Sequence, residues 1–243
     1  MSAYLFEYIG TAMLLLLGNG IVANVLLKGT KGNNAGWISI TIGWGMAVFV
    51  GVFISADASG GHLNPAVTLA FASAGKFAWT LVPGYILAQF LGAMTGTTLV
   101  WLLYKQHYDI TEDKNAIMMS FANVPAIRHS FWNFLSEVIA TFAFVLAIFH
   151  IAGGSVSDAP ISLGSLDALP AGLLVLAIGI SLGGPTGYAI NPARDLGPRI
   201  IHALLPIKNK GHSHWYYAWI PVVAPSIGGV LAAIVYLYLP TGP

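Results

Sequence analysis

Cysteine is absent from the 243-residue chain, which excludes disulfides and thiolate-based metal or redox centres. Charge is nearly as scarce. Asp, Glu, Lys and Arg together make up 8% of the residues, against roughly 25% in a soluble domain. The formal net charge of +1 gives no basic surface of the kind that binds nucleic acid. There is no Gly-x-x-x-x-Gly-Lys-Ser/Thr loop, so nucleotide hydrolysis supplies no energy. No nucleophile–base pair and no metal-ligand set stands out by spacing. His150 and His202 lack partners, and His212 and His214 lack a third ligand nearby. Neither an enzyme nor a cofactor is expected. The N-terminus Met1-Ser2-Ala3-Tyr4-Leu5 has no basic region and no small-residue cleavage site, so it reads as the start of a retained span rather than a signal peptide.

Apolar residues fill the chain instead. They make up 56% of it, and the mean hydropathy is +0.75. A helix that crosses a bilayer needs about 20 mostly apolar residues. Six stretches qualify: Tyr4–Leu27, Trp37–Ala56, Leu81–Tyr104, Phe131–Ile151, Leu169–Leu182 and Trp215–Leu239. The fifth is short as bounded and could begin near Leu163. Gly92 and Gly96 in the third, and Gly228 and Gly229 in the last, mark places of close helix approach. Between the spans, Lys105–Ser130 reads as a long polar loop, Gly153–Asp167 as a Gly/Ser-rich loop, and Pro206–His214 as a third. The third ends before Trp215, Tyr216, Tyr217 and Trp219, an aromatic group suited to the membrane–water interface.

One motif is written twice. Gly60-Gly61-His62-Leu63-Asn64-Pro65-Ala66 and Gly187-Tyr188-Ala189-Ile190-Asn191-Pro192-Ala193 are offset by 127 residues, just over half of the chain. Asparagine is a favoured N-cap, and proline fits the first helical turn, where its missing N–H costs nothing. Each motif therefore opens a helix, over Pro65–Ala74 and Pro192–Leu205. Both segments are too short to span and read as re-entrant. Non-helical backbone survives at membrane depth only inside protein or beside a water-filled passage, and broken segments in matching halves point to a transport site. Glu7 and Glu137 precede the two asparagines by 57 and 54 residues. Three crossings per half force the second half to enter from the opposite side. The expected fold is therefore an all-α membrane protein with six transmembrane helices, two re-entrant half-helices and an inverted repeat. Residues 1–105 form the first repeat, 106–130 the connecting loop and 131–243 the second repeat of a single channel domain.

At Asn64-Pro65-Ala66 and Asn191-Pro192-Ala193-Arg194, with Gln89-Phe90-Leu91-Gly92 in the third span, the sequence resembles the aquaporin and glycerol-facilitator family over nearly its whole length. Asp195, within Asn-Pro-Ala-Arg-Asp-Leu-Gly-Pro-Arg, is similar to the glycerol-facilitator branch. The resemblance implies a selectivity filter at Trp44, Gly179, Tyr188 and Arg194. Tyr188 departs from the phenylalanine common in that branch. The resemblance also implies a carbonyl ladder from Gly61, His62, Leu63, Ala189 and Ile190, a homotetramer with one pore per chain, and cytoplasmic termini in a plasma membrane. The implied function is passive flow of glycerol and water with exclusion of ions and protons. A water-dominant channel and a facilitator of lactic acid are the alternatives.

Physical chemistry supports part of this reading and leaves choices elsewhere. Facing helix N-termini place about half a positive charge each at the centre, a barrier to cations and protons. An intramembrane arginine such as Arg194 is costly and marks function, although pairing with a loop carbonyl would be a structural use. Trp44 and Tyr188 could be plain core aromatics. Glu7 and Glu137 could be relay carboxylates of a proton-coupled carrier; the structural reading, as acceptors for irregular backbone, is adopted. Asp195 is read as a brace through hydrogen bonds or an ion pair. His62 is read as a wall residue rather than a pH gate. The cations Lys28, Lys31, Lys105, Lys114, Arg128, Lys208 and Lys210 fall on one side and Lys76 alone on the other. The positive-inside rule opposes the orientation that the resemblance implies.

Overall fold

A computed structural model describes residues 2–151, 154–156 and 159–239. Part of the Gly153–Asp167 loop and the last four residues lie outside them. Among the described residues, six helices are long and apolar enough to cross a membrane. The first four helices are α1 (Ala3–Leu26), α2 (Trp37–Ser59), the half-helix α3 (Pro65–Ser73) and α4 (Val82–Leu103). Two short helices follow, α5 (Lys105–Ile110) and α6 (Lys114–Met119). The second half repeats the pattern with α7 (Ser130–Phe149), α8 (Leu169–Leu182), the half-helix α9 (Pro192–Leu204) and α10 (Ile220–Tyr238).

Local chemistry sets the boundaries. Gly60 ends α2 in the left-handed conformation, φ 83°, which carries no Cβ penalty in glycine. Asn64 and Asn191 cap α3 and α9 as the sequence predicts: Asn64 Oδ1 accepts from the Ala66 N–H, and Asn191 Oδ1 accepts from Ala193 and Arg194. The fifth span is lengthened by a 3₁₀ turn over Gly164–Ala168 that runs into α8. Ahead of it, β1 (Gly154–Val156) and β2 (Ala159–Ile161) form an antiparallel ribbon where the sequence suggested only loop. The last span begins at Ile220 rather than Trp215. Trp215–Trp219 forms turns instead, with Trp215, Tyr216 and Trp219 exposed but Tyr217 buried.

The Lys105–Ser130 segment is more ordered than its polarity suggests. Tyr108, Ile117, Met118 and Phe121 are fully buried against Leu27, Val100 and Ile207, so this stretch is folded onto the ends of α1 and α4 and shares an apolar cluster with them. Asp113 caps α6 by accepting from the N–H groups of Asn115 and Ala116.

Two helix pairs frame each half: α1 lies against α2 and α4, and α7 against α10 and α8. The glycines permit backbone contact. A Cβ at Gly92 or Gly96 would overlap the Tyr8 or Ala12 carbonyl, and one at Gly228 would lie 2.5 Å from the Val138 carbonyl oxygen. The halves meet where α2 crosses α8. There a Cβ on Gly45 would sit 2.8 Å from the Gly172 oxygen, and one on Gly172 would sit 2.6 Å from the Gly45 oxygen. These two glycines are 127 residues apart, the same offset as the two asparagines, so their contact marks the pseudo-twofold axis. Each half-helix is held by the other repeat: α3 packs on α10, and α9 packs on α4.

Candidate functional site: a channel neck

The two Asn-Pro-Ala segments bring their helix N-termini together at the centre of the molecule. Asn64 Nδ2 donates to the Ile190 carbonyl at 2.9 Å, and Asn191 Nδ2 donates to the Leu63 carbonyl at 2.9 Å. Each capping asparagine is thus tied to the loop of the opposite repeat, and each amide has a second N–H to offer. The loops feeding these caps are strained. Leu63, Tyr188 and Ile190 adopt φ of 51°, 42° and 45°, a region that costs a non-glycine residue roughly 1–2 kcal/mol.

The two buried glutamates hold that strain in place. Glu7 accepts from the N–H groups of His62 (2.9 Å) and Leu63 (2.8 Å), from the Ser59 hydroxyl (2.8 Å) and from Gln89 Nε2 (2.7 Å). Glu137 accepts from the N–H groups of Ala189 (2.9 Å) and Ile190 (3.0 Å). In a planar trans peptide, the C=O of one residue points opposite to the N–H of the next. Pinning those N–H groups therefore turns the carbonyls of Gly61, His62, Tyr188 and Ala189 away from the glutamates. Gly61, His62, Leu63, Ala189 and Ile190 all line one cavity of about 250 Å³.

A second cavity of about 710 Å³ opens on the side of the Lys105–Ser130 segment, with Trp37, Asn123 and Arg128 in its wall. Trp44, Tyr188 and Arg194 line both cavities and so form the neck between them. All three are buried. The Arg194 guanidinium lies 4.2 Å from the Trp44 ring centroid, a cation–π geometry that is worth more when desolvated. Arg194 Nη1 and the Tyr188 hydroxyl have no hydrogen-bond partner among the described residues. The neck is therefore amphipathic: aromatic faces on one part of its wall, unused donors on another.

Gly179 stands behind this neck. It lines neither cavity, because the Tyr188 ring covers it. A Cβ there would lie 2.8 Å from Tyr188 Cζ and 3.0 Å from its hydroxyl. Asp195 forms a buried ion pair with Arg199, at 2.9 Å to Nε and 2.8 Å to Nη2, and accepts from the Asn123 N–H at 2.7 Å. Arg199 also donates to the carbonyls of Asn123 and Ser213. Asn123 Nδ2 in turn donates to the Thr186 carbonyl at 2.9 Å, so this cluster braces the loop that carries Tyr188.

Neither Arg199 nor Asn123 stood out in the sequence. The four-residue spacing of Asp195 and Arg199 on one helix face was the available signal for the former. His62 packs among Phe71, Phe77 and Tyr85, with Nδ1 3.1 Å from the Thr68 hydroxyl. No group of three His, Cys, Asp or Glu positioned to hold a metal occurs among the described residues.

The "Major intrinsic protein" family model matches residues 1–236. The glycerol uptake facilitator protein of Streptococcus pneumoniae is 52% identical over 95% of this chain and 96% of its own length. A probable glycerol uptake facilitator protein of Thermotoga maritima is 48% identical over 98% of this chain and all of its own. Among solved structures, the aquaglyceroporin from Plasmodium falciparum superposes with a TM-score of 0.82 at 33% identity, covering 97% of this chain and 95% of that one.

Proposed function

The chain belongs to the major intrinsic protein family, and from that premise we propose that it is a passive channel for glycerol and water whose selectivity resides in the neck formed by Trp44, Tyr188 and Arg194. The observation that carries the proposal is that, among the described residues lining the two cavities, these three alone belong to both. A polyol has a carbon edge and a hydroxyl edge. Trp44 and Tyr188 offer the first a ring surface, and Arg194 offers the second its unused N–H groups. Beyond the neck, the carbonyls of Gly61, His62, Tyr188 and Ala189 replace lost hydration one hydrogen bond at a time. At the centre, the free N–H of Asn64 and of Asn191 donates to a passing oxygen. A water held there turns its hydrogens outward, which interrupts a proton wire. The two half-helix dipoles and Arg194 oppose cations.

A proton-coupled carrier is a poorer account of the glutamates. Both oxygens of Glu7 and both of Glu137 already accept backbone N–H groups or neighbouring side chains, which leaves no oxygen facing the cavity to shuttle a proton. The chain is a multi-pass membrane protein. We place it in the plasma membrane as a homotetramer with cytoplasmic termini, with residues 1–105 and 131–243 as its two repeats. The charge bias against that orientation is weakened by the work some cations do locally. Lys210 Nζ donates to the Ala203 and Leu205 carbonyls at the end of α9, and Lys105 pairs with Asp109.

Stopped-flow light scattering on proteoliposomes tests the proposal, first with an impermeant osmolyte and then with glycerol. Fast shrinkage followed by fast glycerol re-swelling, unaffected by a pH gradient, is the expected result. Fast shrinkage without re-swelling would replace the proposal with a water-dominant channel. Re-swelling that saturates and follows the pH gradient would replace it with a carrier.

A further inference from the structure

Nothing on the solute path holds the Tyr188 side chain by its polar end. Its hydroxyl is buried and has no partner among the described residues, and its backbone sits in a region that bulky residues avoid, φ 42°. The ring is positioned by what packs around it. On one side lies glycine backbone of α8. A Cβ at Gly183 would come within 2.5 Å of Tyr188 Cδ1, and one at Gly179 would collide with the phenol end. Across the ring lies Trp37, the first residue of α2, at 5.8 Å between centroids and 85° between planes. This is the edge-to-face arrangement that aromatic quadrupoles favour. The indole is itself fixed, because Nε1 donates to the Gly179 carbonyl at 3.2 Å. That carbonyl belongs to the last turn of α8, where helix acceptors need outside donors. Trp37 therefore binds the floor under Tyr188 and its edge at the same time.

We propose that Trp37 is a positioning residue for the channel neck: by clamping the Tyr188 ring against α8 it sets the aperture and hence the longest polyol that passes. Trp37 is half exposed in the wall of the larger cavity and does not line the smaller one. It acts through Tyr188, one step removed from the narrowest point. The inference rests on the reading of Trp44, Tyr188 and Arg194 as the filter. Without Trp37, the ring has an open side toward the larger cavity and can swing into it, which widens the neck while leaving Arg194 and the asparagines in place.

The test is a polyol series on proteoliposomes, with glycerol, erythritol and xylitol as probes and water permeability as reference. Trp37→Ala, Trp37→Phe, Tyr188→Ala and the Trp37→Ala/Tyr188→Ala double variant are compared. Trp37→Ala is expected to raise the erythritol-to-glycerol permeability ratio by about tenfold, the equivalent of ~1.4 kcal/mol in the barrier, with water flow held within about twofold. Trp37→Phe keeps an edge-to-face ring but has no N–H for the Gly179 carbonyl, so it is expected to restore the wild-type ratio only in part. Tyr188→Ala is expected to raise the ratio at least as far, and the double variant no further, because the effect of Trp37 passes through Tyr188.

A wild-type ratio in Trp37→Ala, with a raised ratio in Tyr188→Ala, would overturn the clamp and leave Trp37 a mere wall of the vestibule. Additive effects in the double variant, or a ratio in Trp37→Phe no lower than in Trp37→Ala, would overturn it too. An unchanged ratio in Tyr188→Ala would instead sink the filter reading itself. If Trp37→Ala does not insert into membranes, Trp37→Leu removes the ring while keeping apolar bulk and answers the same question.

Discussion

Gly179→Ala is the sharpest single perturbation of the neck, because the geometry fixes how far the wall must move. The added methyl would lie 2.8 Å from Tyr188 Cζ and 3.0 Å from both the Tyr188 hydroxyl and Thr41 Cγ2. Ordinary carbon contacts begin at 3.4 Å, so the phenol must retreat by about 0.6 Å. The α8 backbone lies behind the ring and Trp37 blocks its flank. The remaining direction is the passage between the two cavities. Overpacking of this kind costs ~1–3 kcal/mol. If that cost appears as an added barrier to a solute that fills the neck, glycerol flux falls about 5- to 150-fold. Water, being smaller, is expected to lose far less. Glycerol and water permeabilities of the reconstituted variant, each compared with wild type, give the two numbers directly. Equal losses for both solutes would point to a collapsed loop rather than a narrowed neck. Unchanged glycerol flux would refute the placement of the Tyr188 ring between Gly179 and the solute path.

Other substitutions test the supports around that neck. Arg194→Ala is expected to keep solute flow but to admit ions or protons, read as leak currents or dissipation of a pH gradient in liposomes; an unchanged leak counts against Arg194 as a charge barrier. Glu137→Gln replaces an acceptor oxygen by a donor facing the Ala189 or Ile190 N–H. A buried N–H left unpaired costs ~1–3 kcal/mol, comparable to the strain held at Tyr188 and Ile190, so conduction should fall with little loss of membrane insertion. Wild-type flux in that variant would show that the loop holds its shape unaided. Asp195→Asn strips the charge partner from the fully buried Arg199. Breaking such a pair costs ~3–5 kcal/mol, so thermal stability in detergent should drop by many degrees. An Asp195→Asn/Arg199→Met double variant should recover part of the loss, and a stability equal to wild type in the single variant would refute the buried-pair reading.

The parts of this structure that were legible in the sequence are those that local chemistry dictates. An asparagine cap followed by proline specifies a helix start wherever it occurs, so α3 and α9 were placed to within a residue at their C-terminal ends. The repeat offset then gave the inverted architecture. Glu7 and Glu137 were read as acceptors for irregular backbone because a loop at membrane depth must find acceptors somewhere. The unread parts depend on contacts between distant segments. Nothing near Trp37 in the sequence points to Gly179 or Tyr188, which lie more than a hundred residues away. Lys105–Ser130 was taken for plain loop because its charges are conspicuous, while the helix-face spacing of Ile117, Met118 and Phe121 runs for barely one turn, too short to suggest a core. Gly179 was read as a filter position from the resemblance alone; that its missing side chain makes room for the Tyr188 ring depends on a contact between segments that no local pattern announces.

The exchange of half-helices between repeats has a consequence for how the chain is made. The nine-residue α3 is synthesised early, yet the helix that covers it, α10, follows all the other helices among the described residues. Until then its flanking loop would meet lipid with unsatisfied backbone groups, which a bilayer does not tolerate. From the first repeat, Glu7 accepts from the His62 and Leu63 N–H groups and the Ser59 hydroxyl accepts from Gly61, while the Leu63 carbonyl waits for Asn191 of the second repeat. The first four helices should therefore insert as a loose intermediate, with α3 waiting near the membrane surface, and seat it only when α10 arrives. Truncation just before Ile220 would then disturb residues 150 positions upstream more than those beside the cut. Protease or cysteine-labelling access at Pro65–Ser73 in stalled nascent chains would show the half-helix moving from exposed to protected as α10 emerges.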